Sequence, residues 1–354
     1  MNNLKFDFND ISIIPEVISS IKSRNEINTY YKDDTFFHQL PLISAPMNSI
    51  LSINEKDSYN SGFDIFMLVN NVRVTYPRGA KNINNSKYTN SFISFSIDEF
   101  EDVFINNNNI NNVRYALVDV ANGHMDRLLN LTKKVKNIYG DSLKIMVGNI
   151  ANPETYRLYA EADIDYIRCG IGGGSACLTA TNTATYMPMA SLIHEIYQIK
   201  KSGGYKTKIV ADGGFKSYAD IIKAIAIGAD YVMIGSILNK CLESDSKPYL
   251  WKLFPIKNMN VAEFLFKNKF SLYKKHIGMS TKEVQKLWGN KKLKTAEGIV
   301  KWNKVEYKLP SWIENFNDYL KSSMSYSNSR NLNEYIGEAN FVNITNNAYL
   351  RFNK

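Results

Sequence analysis

A regular alternation of short apolar segments with longer amphipathic ones constrains the fold of this chain most strongly. Helical spacing of apolar residues recurs between the later apolar segments, over 152–162, 189–201 and 218–227. The candidate strands are Leu40–Ala45, Phe63–Val69, Phe92–Ile97, Tyr115–Val120, Lys144–Ile150, Ile164–Ile171, Lys208–Asp212 and Tyr231–Ile234. Eight strands separated by helices predict a (β/α)8 TIM barrel rather than an open sheet.

Length and composition are compatible with a single catalytic barrel domain over residues 1–354, with short terminal extensions. The sequence has no run of 18 apolar residues and no hydrophobic leader-like segment near Met1, so we expect no membrane contact. Cys169, Cys177 and Cys241 have no metal-binding spacing, and such sparse cysteines suit the cytoplasm. The net charge of +9 comes from scattered lysines, which fit anionic small ligands and do not indicate nucleic-acid binding.

A glycine-rich loop follows the sixth candidate strand and contains a cysteine. Gly172–Gly174 leave room for backbone amides and carbonyls to approach a ligand or an ion. Cys177 comes three residues later, and Thr179 follows it. A thiol in such a loop is a candidate nucleophile, because amide dipoles and nearby cations favour the thiolate. The alternative is an ordinary loop cysteine without chemistry.

Further polar and glycine-containing motifs stand at the ends of the other candidate strands. In a barrel, these carboxyl ends meet on one face, where ligands bind. The motifs are Ser44–Asn48, Asp119–His124, Gly148–Asn149, Asp212–Gly214 and Gly235–Ser236. Glycine amides after the seventh and eighth strands are suited to a phosphate, and Asp212 to a ribose diol. Ordinary turns are the alternative explanation for each pair.

Taken together and in order, these motifs resemble the family of IMP dehydrogenases and GMP reductases, and the reductase branch most closely. The resemblance covers most of the chain. It rests on Phe6–Pro15, Ser23–Arg24, Leu42–Met47, Val118–His124, Gly148–Asn149, Gly170–Thr179, Val210–Gly214, Val232–Ser236, Gly278–Thr281, Ala296–Gly298 and Leu320–Tyr326.

The resemblance implies a chemistry for three of these residues. Cys177 would attack C2 of a purine nucleotide and form a covalent adduct. Ammonia would then leave GMP, and NADPH would deliver hydride to C2 to give IMP. Thr179 and Glu297 match the residues that manage the proton needed by the departing amine. A hydroxyl and a carboxyl group near a thiol can supply that acid–base work on chemical grounds as well.

The resemblance also implies binding residues and an assembly. Substrate would be bound by Ser175, Asp212, Gly213, Gly214, Gly235, Ser236, Gly278, Met279 and Ser280. The nicotinamide cofactor would lie against Asp119, Ala121, Asn122 and Gly170. The carbonyls of Gly172, Gly174 and Cys177 would hold a monovalent cation such as K⁺. The family further implies a homo-oligomer, expected to be a tetramer.

Two features favour the reductase branch over the dehydrogenase branch. Val69 and Phe92 are too close in sequence to admit an inserted regulatory domain, and 278–297 contains no Arg-Tyr pair to activate water. An IMP dehydrogenase without its regulatory domain and a catalytically weak nucleotide-binding homologue remain the alternatives.

Several residues depart from the family pattern. Gly173, Leu178, Ala180, Lys294 and Ala296 do so around the nucleophile and the glutamate. On the cofactor side, Val69–Asn71 replace a His and a Lys, so NADH is an alternative to NADPH. Arg73, Arg78 and Lys81 are candidates for contacting a 2′-phosphate.

Overall fold

The computed structural model describes residues 4–32, 38–51, 59–60, 62–79, 90–107, 113–279, 281–288, 295 and 297–352. The strands, numbered in chain order, are β1 (Ile11–Ile13), β2 (Tyr31–Lys32), β3 (His38–Gln39), β4 (Leu42–Ser44), β5 (Thr75–Tyr76), β6 (Phe92–Phe95), β7 (Tyr115–Asp119), β8 (Lys144–Ile150), β9 (Tyr166–Cys169), β10 (Lys208–Asp212), β11 (Tyr231–Ile234), β12 (Pro248–Leu250), β13 (Phe254–Pro255), β14 (Leu272–Ile277), β15 (Val300–Lys304) and β16 (Phe341–Asn343). The α-helices are α1 (Phe63–Val69), α2 (Ile97–Glu101), α3 (Asp126–Tyr139), α4 (Pro153–Glu161), α5 (Thr179–Thr183), α6 (Met189–Gly203), α7 (Tyr218–Ala226), α8 (Ser236–Asn239), α9 (Met259–Lys267), α10 (Lys282–Leu287), α11 (Leu309–Tyr326), α12 (Leu332–Tyr335) and α13 (Asn346–Phe352).

Strands β4 to β11 form the predicted parallel barrel. Their order in the sheet is β4-β11-β10-β9-β8-β7-β6-β5, and a parallel bridge between Ile43 and Arg73 closes the ring. All five residues of β7 are buried, since helices cover the outer face of a parallel sheet while side chains fill its interior. The (β/α)8 barrel expected from the sequence is therefore confirmed.

Local sequence signals start the helices that follow the strands. The Asn152 side chain accepts a hydrogen bond from the Glu154 N–H at 2.9 Å, and Pro153 occupies the first turn of α4. Ser217 and Asp220 form a reciprocal capping box at the start of α7. Each cap satisfies amides that lack partners inside the helix, and so fixes where the chain turns back along the barrel.

The second predicted strand is wrong, because residues 63–69 form helix α1. Phe63 and Met67, four residues apart, are buried on one face, whereas Ile65 and Val69 are exposed. A short apolar run suits either element, and here the helical period decides. The second barrel strand is instead the two-residue β5, whose Thr75 N–H donates to Ser44 Oγ at 2.8 Å.

A four-stranded antiparallel sheet, which the sequence reasoning did not predict, stands beside the barrel. Its order is β13-β12-β14-β15, and it packs on a small apolar cluster separate from the barrel core. Lys274 of β14 is fully buried and donates to the carbonyls of Cys241, Leu242 and Ser244 at 2.8–3.0 Å. These bonds attach the sheet to the segment after α8. Strand β14 ends just before Gly278, and β15 begins shortly after Glu297.

Among the described residues, no helix combines the length and the apolar character needed to span a bilayer.

Candidate active site

Cys177, Thr179 and Glu297 form a chain of hydrogen bonds at the carboxyl end of the barrel. The Cys177 thiol donates to Thr179 Oγ1 at 3.3 Å, and that hydroxyl donates to Glu297 Oε2 at 2.6 Å. The three side chains are partly buried and line one cavity of about 1110 Å³. A proton can pass from thiol to carboxylate through one hydroxyl without crossing bulk water.

Backbone pairing holds the segments that carry Cys177 and Glu297 together. Leu178 N–H donates to the Glu297 carbonyl at 2.7 Å, and Ile299 N–H donates to the Ala176 carbonyl at 3.0 Å. Cys177 and Gly298 thus form an antiparallel bridge. A Cβ on Gly278 would lie 2.6 Å from the Ala176 carbonyl oxygen, so glycine is required at this crossing. The pairing positions Glu297 over the cysteine loop, although 120 residues separate them.

A buried arginine joins the cavity's two aspartates. Arg168 Nη1 donates to Asp119 Oδ1 at 2.5 Å, and Nε donates to Asp212 Oδ2 at 2.9 Å. Asn149 Nδ2 also donates to Asp212 Oδ2, at 2.8 Å. Burial opposes the charged guanidinium, but the two carboxylates outweigh it and raise the pKa of Arg168. The network fixes both carboxylates at the end of the barrel and compensates their charge.

Two glycines let the loops after β9 and β10 approach this network. Gly170 has φ +124°, and a Cβ there would lie 2.4 Å from the Asp212 carbonyl oxygen. Gly213 has φ +97°, and its Cβ would lie 2.9 Å from Gly174 N. Side chains at either position would push the loops apart.

Basic residues surround the cavity beside the β11–α8 connection. Gly235 and Ser236 line this end together with Lys240, Lys301 and His276. The His276 ring is 3% exposed, and its Nδ1 lies 3.4 Å from Ser49 Oγ. Burial, and secondarily Lys301, lower the pKa of His276 to about 4, so the ring is neutral at pH 7.

The cavity brings together most of the residues singled out from the sequence. Its lining includes Cys177, Thr179, Glu297, Ser175, Asp212, Gly213, Gly214, Gly235, Ser236, Gly278, Met279, Asp119, Ala121, Gly170, Gly172 and Gly174. Ser280, Lys81, Lys294 and Ala296 lie outside the described residues. Asn122 is exposed, does not line the cavity, and accepts a hydrogen bond from the His124 N–H at 3.0 Å.

Of the basic residues predicted from the sequence to contact a 2′-phosphate, Arg73 does not line the cavity. It is 1% exposed inside the barrel, where its guanidinium donates to Gln39 and Tyr166 and lies 4.9 Å from the centre of the Tyr115 ring. Arg78 does line the cavity. It donates to the Asp119 carbonyl and stacks 4.4 Å from the centre of the Trp288 ring.

Sequence reasoning missed Arg168, Trp288 and His276 as site residues. A signal existed for Arg168, because a charge inside an apolar strand must be paired when the strand is buried. The sequence carried no comparable signal for Trp288 or His276, since their positions depend on β14 and on the segment after α10.

One of the carbonyls expected to hold a monovalent cation also has a partner within the loop. Gly174 O accepts the Cys177 N–H at 2.9 Å, so this expected cation ligand also closes a turn.

The fold and the site define a (β/α)8-barrel protein with a cysteine-centred site at the carboxyl ends of its strands. A family model described as "IMP dehydrogenase / GMP reductase domain" matches residues 96–351, so the chain belongs to that family. The chain is 28% identical over 242 residues to proteins named GMP reductase from Streptococcus pneumoniae strains JJA and CGSP14. The matches cover 68% of this chain and 72% of each relative.

Proposed function

We propose that this protein is a purine nucleotide oxidoreductase that converts GMP to IMP by reductive deamination through a covalent Cys177 adduct. The observation that carries the proposal is the hydrogen-bond chain from the Cys177 thiol through Thr179 to Glu297. The protein belongs to a family whose relatives from Streptococcus pneumoniae bear the name GMP reductase.

In the first step, Cys177 Sγ bonds to C2 of the purine while its proton passes through Thr179 to the Glu297 carboxylate. The C2–N bond then breaks, and that proton leaves with the amine as ammonia. The thioether-like adduct is resolved when hydride reaches C2 and the C–S bond breaks, which returns the electron pair to sulfur. Because the proton taken from the nucleophile is the one given to the leaving group, Glu297 ends this half-reaction ionised.

The remaining lining residues have binding roles in this proposal. Asp212 is placed by Arg168 and Asn149 to accept ribose hydroxyls, while Ser175, Gly214, Gly235 and Ser236 hold the 5′-phosphate. Met279 and Gly278 lie beside the base. Carbonyls of Gly172, Gly174 and Cys177 are the proposed ligands of a monovalent cation, which needs only oxygen donors.

A reduced nicotinamide cofactor fits the rest of the cavity. The volume of about 1110 Å³ exceeds the roughly 300–1,000 Å³ typical of sites for one small molecule. Arg78 Nε and Trp288 Nε1 are buried without a hydrogen-bond partner among the described residues, which suits a polar ligand group beside Asp119. The cofactor supplies hydride, and Asp119, Ala121, Gly170 and Arg78 orient it. NADPH is the proposed donor, with NADH as the alternative.

The three cysteines are unbonded thiols, which supports a cytoplasmic setting as part of the proposal. Family membership supports a homo-oligomer, and a tetramer is the assembly we propose.

The proposal is tested by mixing the purified protein with GMP and either NADPH or NADH. We expect GMP-dependent loss of the reduced-nicotinamide absorbance and formation of IMP. IMP with NAD⁺ serves as the control for dehydrogenase activity, and replacement of K⁺ by an organic cation tests the ion. Oxidation of IMP without any reduction of GMP would favour an IMP dehydrogenase. Tight nucleotide binding without turnover in either direction would favour a binding homologue.

A further inference from the structure

The side chain of Asn239, the last residue of α8, joins this helix to the loop after β4 and to strands β14 and β15. Its Nδ2 donates to the carbonyls of Ser49 at 2.9 Å and Lys275 at 3.1 Å. Nδ2 also lies 3.3 Å from Ser246 Oγ, and Oδ1 accepts from Asn303 Nδ2 at 2.8 Å. Because carbonyl oxygens only accept, these partners fix the orientation of the amide. Asn239 is fully buried and does not line the cavity, so the proposed chemistry leaves it unused.

Two of these partners lie on the strands that flank Glu297. Lys275 is on β14 and Asn303 is on β15, and the two strands pair in antiparallel register. Glu297 lies three residues before β15 begins. The Gly278 N–H, just after β14, donates to the Ile299 carbonyl at 3.1 Å. The buried amide therefore holds one end of a two-stranded ladder, and the other end of that ladder presents the glutamate to the cavity.

Helix α8 connects this amide to the wall of the cavity. Gly235 and Ser236 line the cavity at the start of the helix. Asn239 follows one turn later, and its backbone N–H donates to the Gly235 carbonyl at 3.1 Å. A shift of the ladder against α8 is therefore a shift of Glu297 against the barrel end of the cavity. A displacement of about 1 Å at a reacting group costs about 10²-fold in rate.

A second attachment keeps β14 on the barrel when the amide is removed. Lys274 Nζ donates to the carbonyls of Cys241, Leu242 and Ser244 at 2.8–3.0 Å. Substitution of Asn239 should therefore displace the ladder without detaching it, and the variant should fold.

We propose that Asn239 is a positioning residue, which holds β14 and β15 against α8 so that Glu297 meets Thr179. This inference rests on the proposed function and adds to it a residue that contacts no substrate atom. The amide fixes the ladder, the ladder fixes the backbone of Glu297, and the carboxylate then accepts from the Thr179 hydroxyl at 2.6 Å. Loss of the amide should impair the step that needs Glu297 as an acid and spare nucleotide binding.

The test compares Asn239→Ala with the wild type in ammonia release from GMP and in the reaction of IMP with oxidised cofactor. We expect ammonia release to fall by about 10- to 100-fold and the IMP reaction by less than about threefold. GMP affinity, measured by calorimetry, should stay within about threefold of the wild-type value. In a Glu297→Gln background, the same substitution should lower ammonia release by less than about threefold more, because the group that it positions is already gone.

Two further variants separate positioning from stability. Asn303→Ala removes one bond of the amide, and should cause a smaller loss of ammonia release, about three- to tenfold. Tyr156→Phe is the matched control, since it removes a buried hydrogen bond of 2.8 Å to the Thr207 carbonyl at a residue that does not line the cavity. This control should leave both steps unchanged.

Hydrogen exchange gives a readout that does not depend on turnover. The amides of Leu178 and Ile299 tie the cysteine loop to the segment of Glu297, and both should exchange faster in Asn239→Ala but not in Tyr156→Phe. Unchanged exchange at these amides, unchanged ammonia release, equal losses in both steps or additive losses with Glu297→Gln would each overturn the positioning role. A wild type that releases no ammonia from GMP would reject the proposed function, while the exchange rates would still decide whether Asn239 positions the segment.

Discussion

The Thr179 hydroxyl donates to Glu297 Oε2 at 2.6 Å while it accepts from the Cys177 thiol. This geometry joins the end of β9 to a segment that lies between β14 and β15. The contact depends on backbone pairing of Leu178 with Glu297 and of Ala176 with Ile299. The carboxylate at the end of this hydrogen-bond chain therefore comes from the segment that joins β14 to β15 and not from the barrel itself.

Cys177→Ala should abolish reduction of GMP while leaving nucleotide affinity nearly unchanged. Loss of the group that forms the covalent bond is expected to lower kcat by about 10³-fold or more. The affinity should persist because the substitution removes none of the residues assigned to the phosphate and the ribose. Steady-state absorbance and calorimetry measure the two quantities separately. Activity close to the wild-type value would exclude the covalent mechanism.

Asp212→Ala should weaken GMP binding by about 10- to 150-fold, as expected for loss of a charged hydrogen bond of roughly 1.5–3 kcal/mol. Asp212 Oδ2 is held by Arg168 and Asn149, which leaves Oδ1 for the ribose. Calorimetry with 2′,3′-dideoxy-GMP provides the control, because the variant and the wild type should bind that ligand with similar affinity. An unchanged affinity for GMP would show that Asp212 does not contact the ribose.

Arg168→Met should destabilise the protein by about 3–5 kcal/mol, since it leaves two aspartates near the barrel end without their shared cation. Urea unfolding measures the loss. Adding Asp119→Asn and Asp212→Asn should restore part of the stability, because the triple variant no longer has the two carboxylates without their cation, although Arg78 loses its ion pair with Asp119. Equal destabilisation in the single and triple variants would mean that packing, not charge compensation, explains the role of Arg168.

His276 should make the ligand-free protein less stable in acid. The folded-state pKa, about 4, lies below the ordinary value of 6.5, so the unfolded chain binds more protons between these pH values. Stability is fully present above about pH 6.5 and falls towards pH 4, by about 2 kcal/mol at pH 5. Urea unfolding of the wild type and of His276→Gln at pH 7.5 and pH 5 should show a smaller acid loss in the variant. The same loss in both proteins would assign it to other groups.

Three of the barrel strands were predictable to the residue, and four others were predicted one to four residues too long. Residues 144–150, 208–212 and 231–234 are strands as expected, because strands buried on both faces form continuous apolar runs between turn signals. Residues 63–69 were not predicted correctly, since a short run with six apolar residues fits a helix equally well, and the true second strand has two residues. The sheet of β12–β15 escaped prediction because β12 and β13 are very short and because β14 and β15 carry lysines, one of which, Lys274, is fully buried.

The motifs of the candidate site could be found in the sequence, but the distances between their side chains could not be predicted from it. The glycine loops and strand-end motifs could be found along the sequence, because glycine and polar residues at strand ends are local signals. Distances between residues far apart in the chain are set by tertiary packing. No local pattern indicates that Arg168 bridges Asp119 and Asp212, or that His276 turns towards Gly235.

The most direct test of the Thr179–Glu297 relay is the Glu297→Gln variant, assayed for two separate steps. Deamination is followed as ammonia released from GMP, and hydride transfer as the reaction of IMP with oxidised cofactor. An amine leaves only after gaining a proton, whereas the reaction of IMP uses Glu297 only to accept the Cys177 proton, which solvent can accept as well, so the larger loss should fall on deamination. We expect ammonia release to fall by about 10²–10⁴-fold and hydride transfer by less than about tenfold. Equal losses in both steps, or no loss in either, would contradict the assignment of Glu297 as the proton donor to the departing amine.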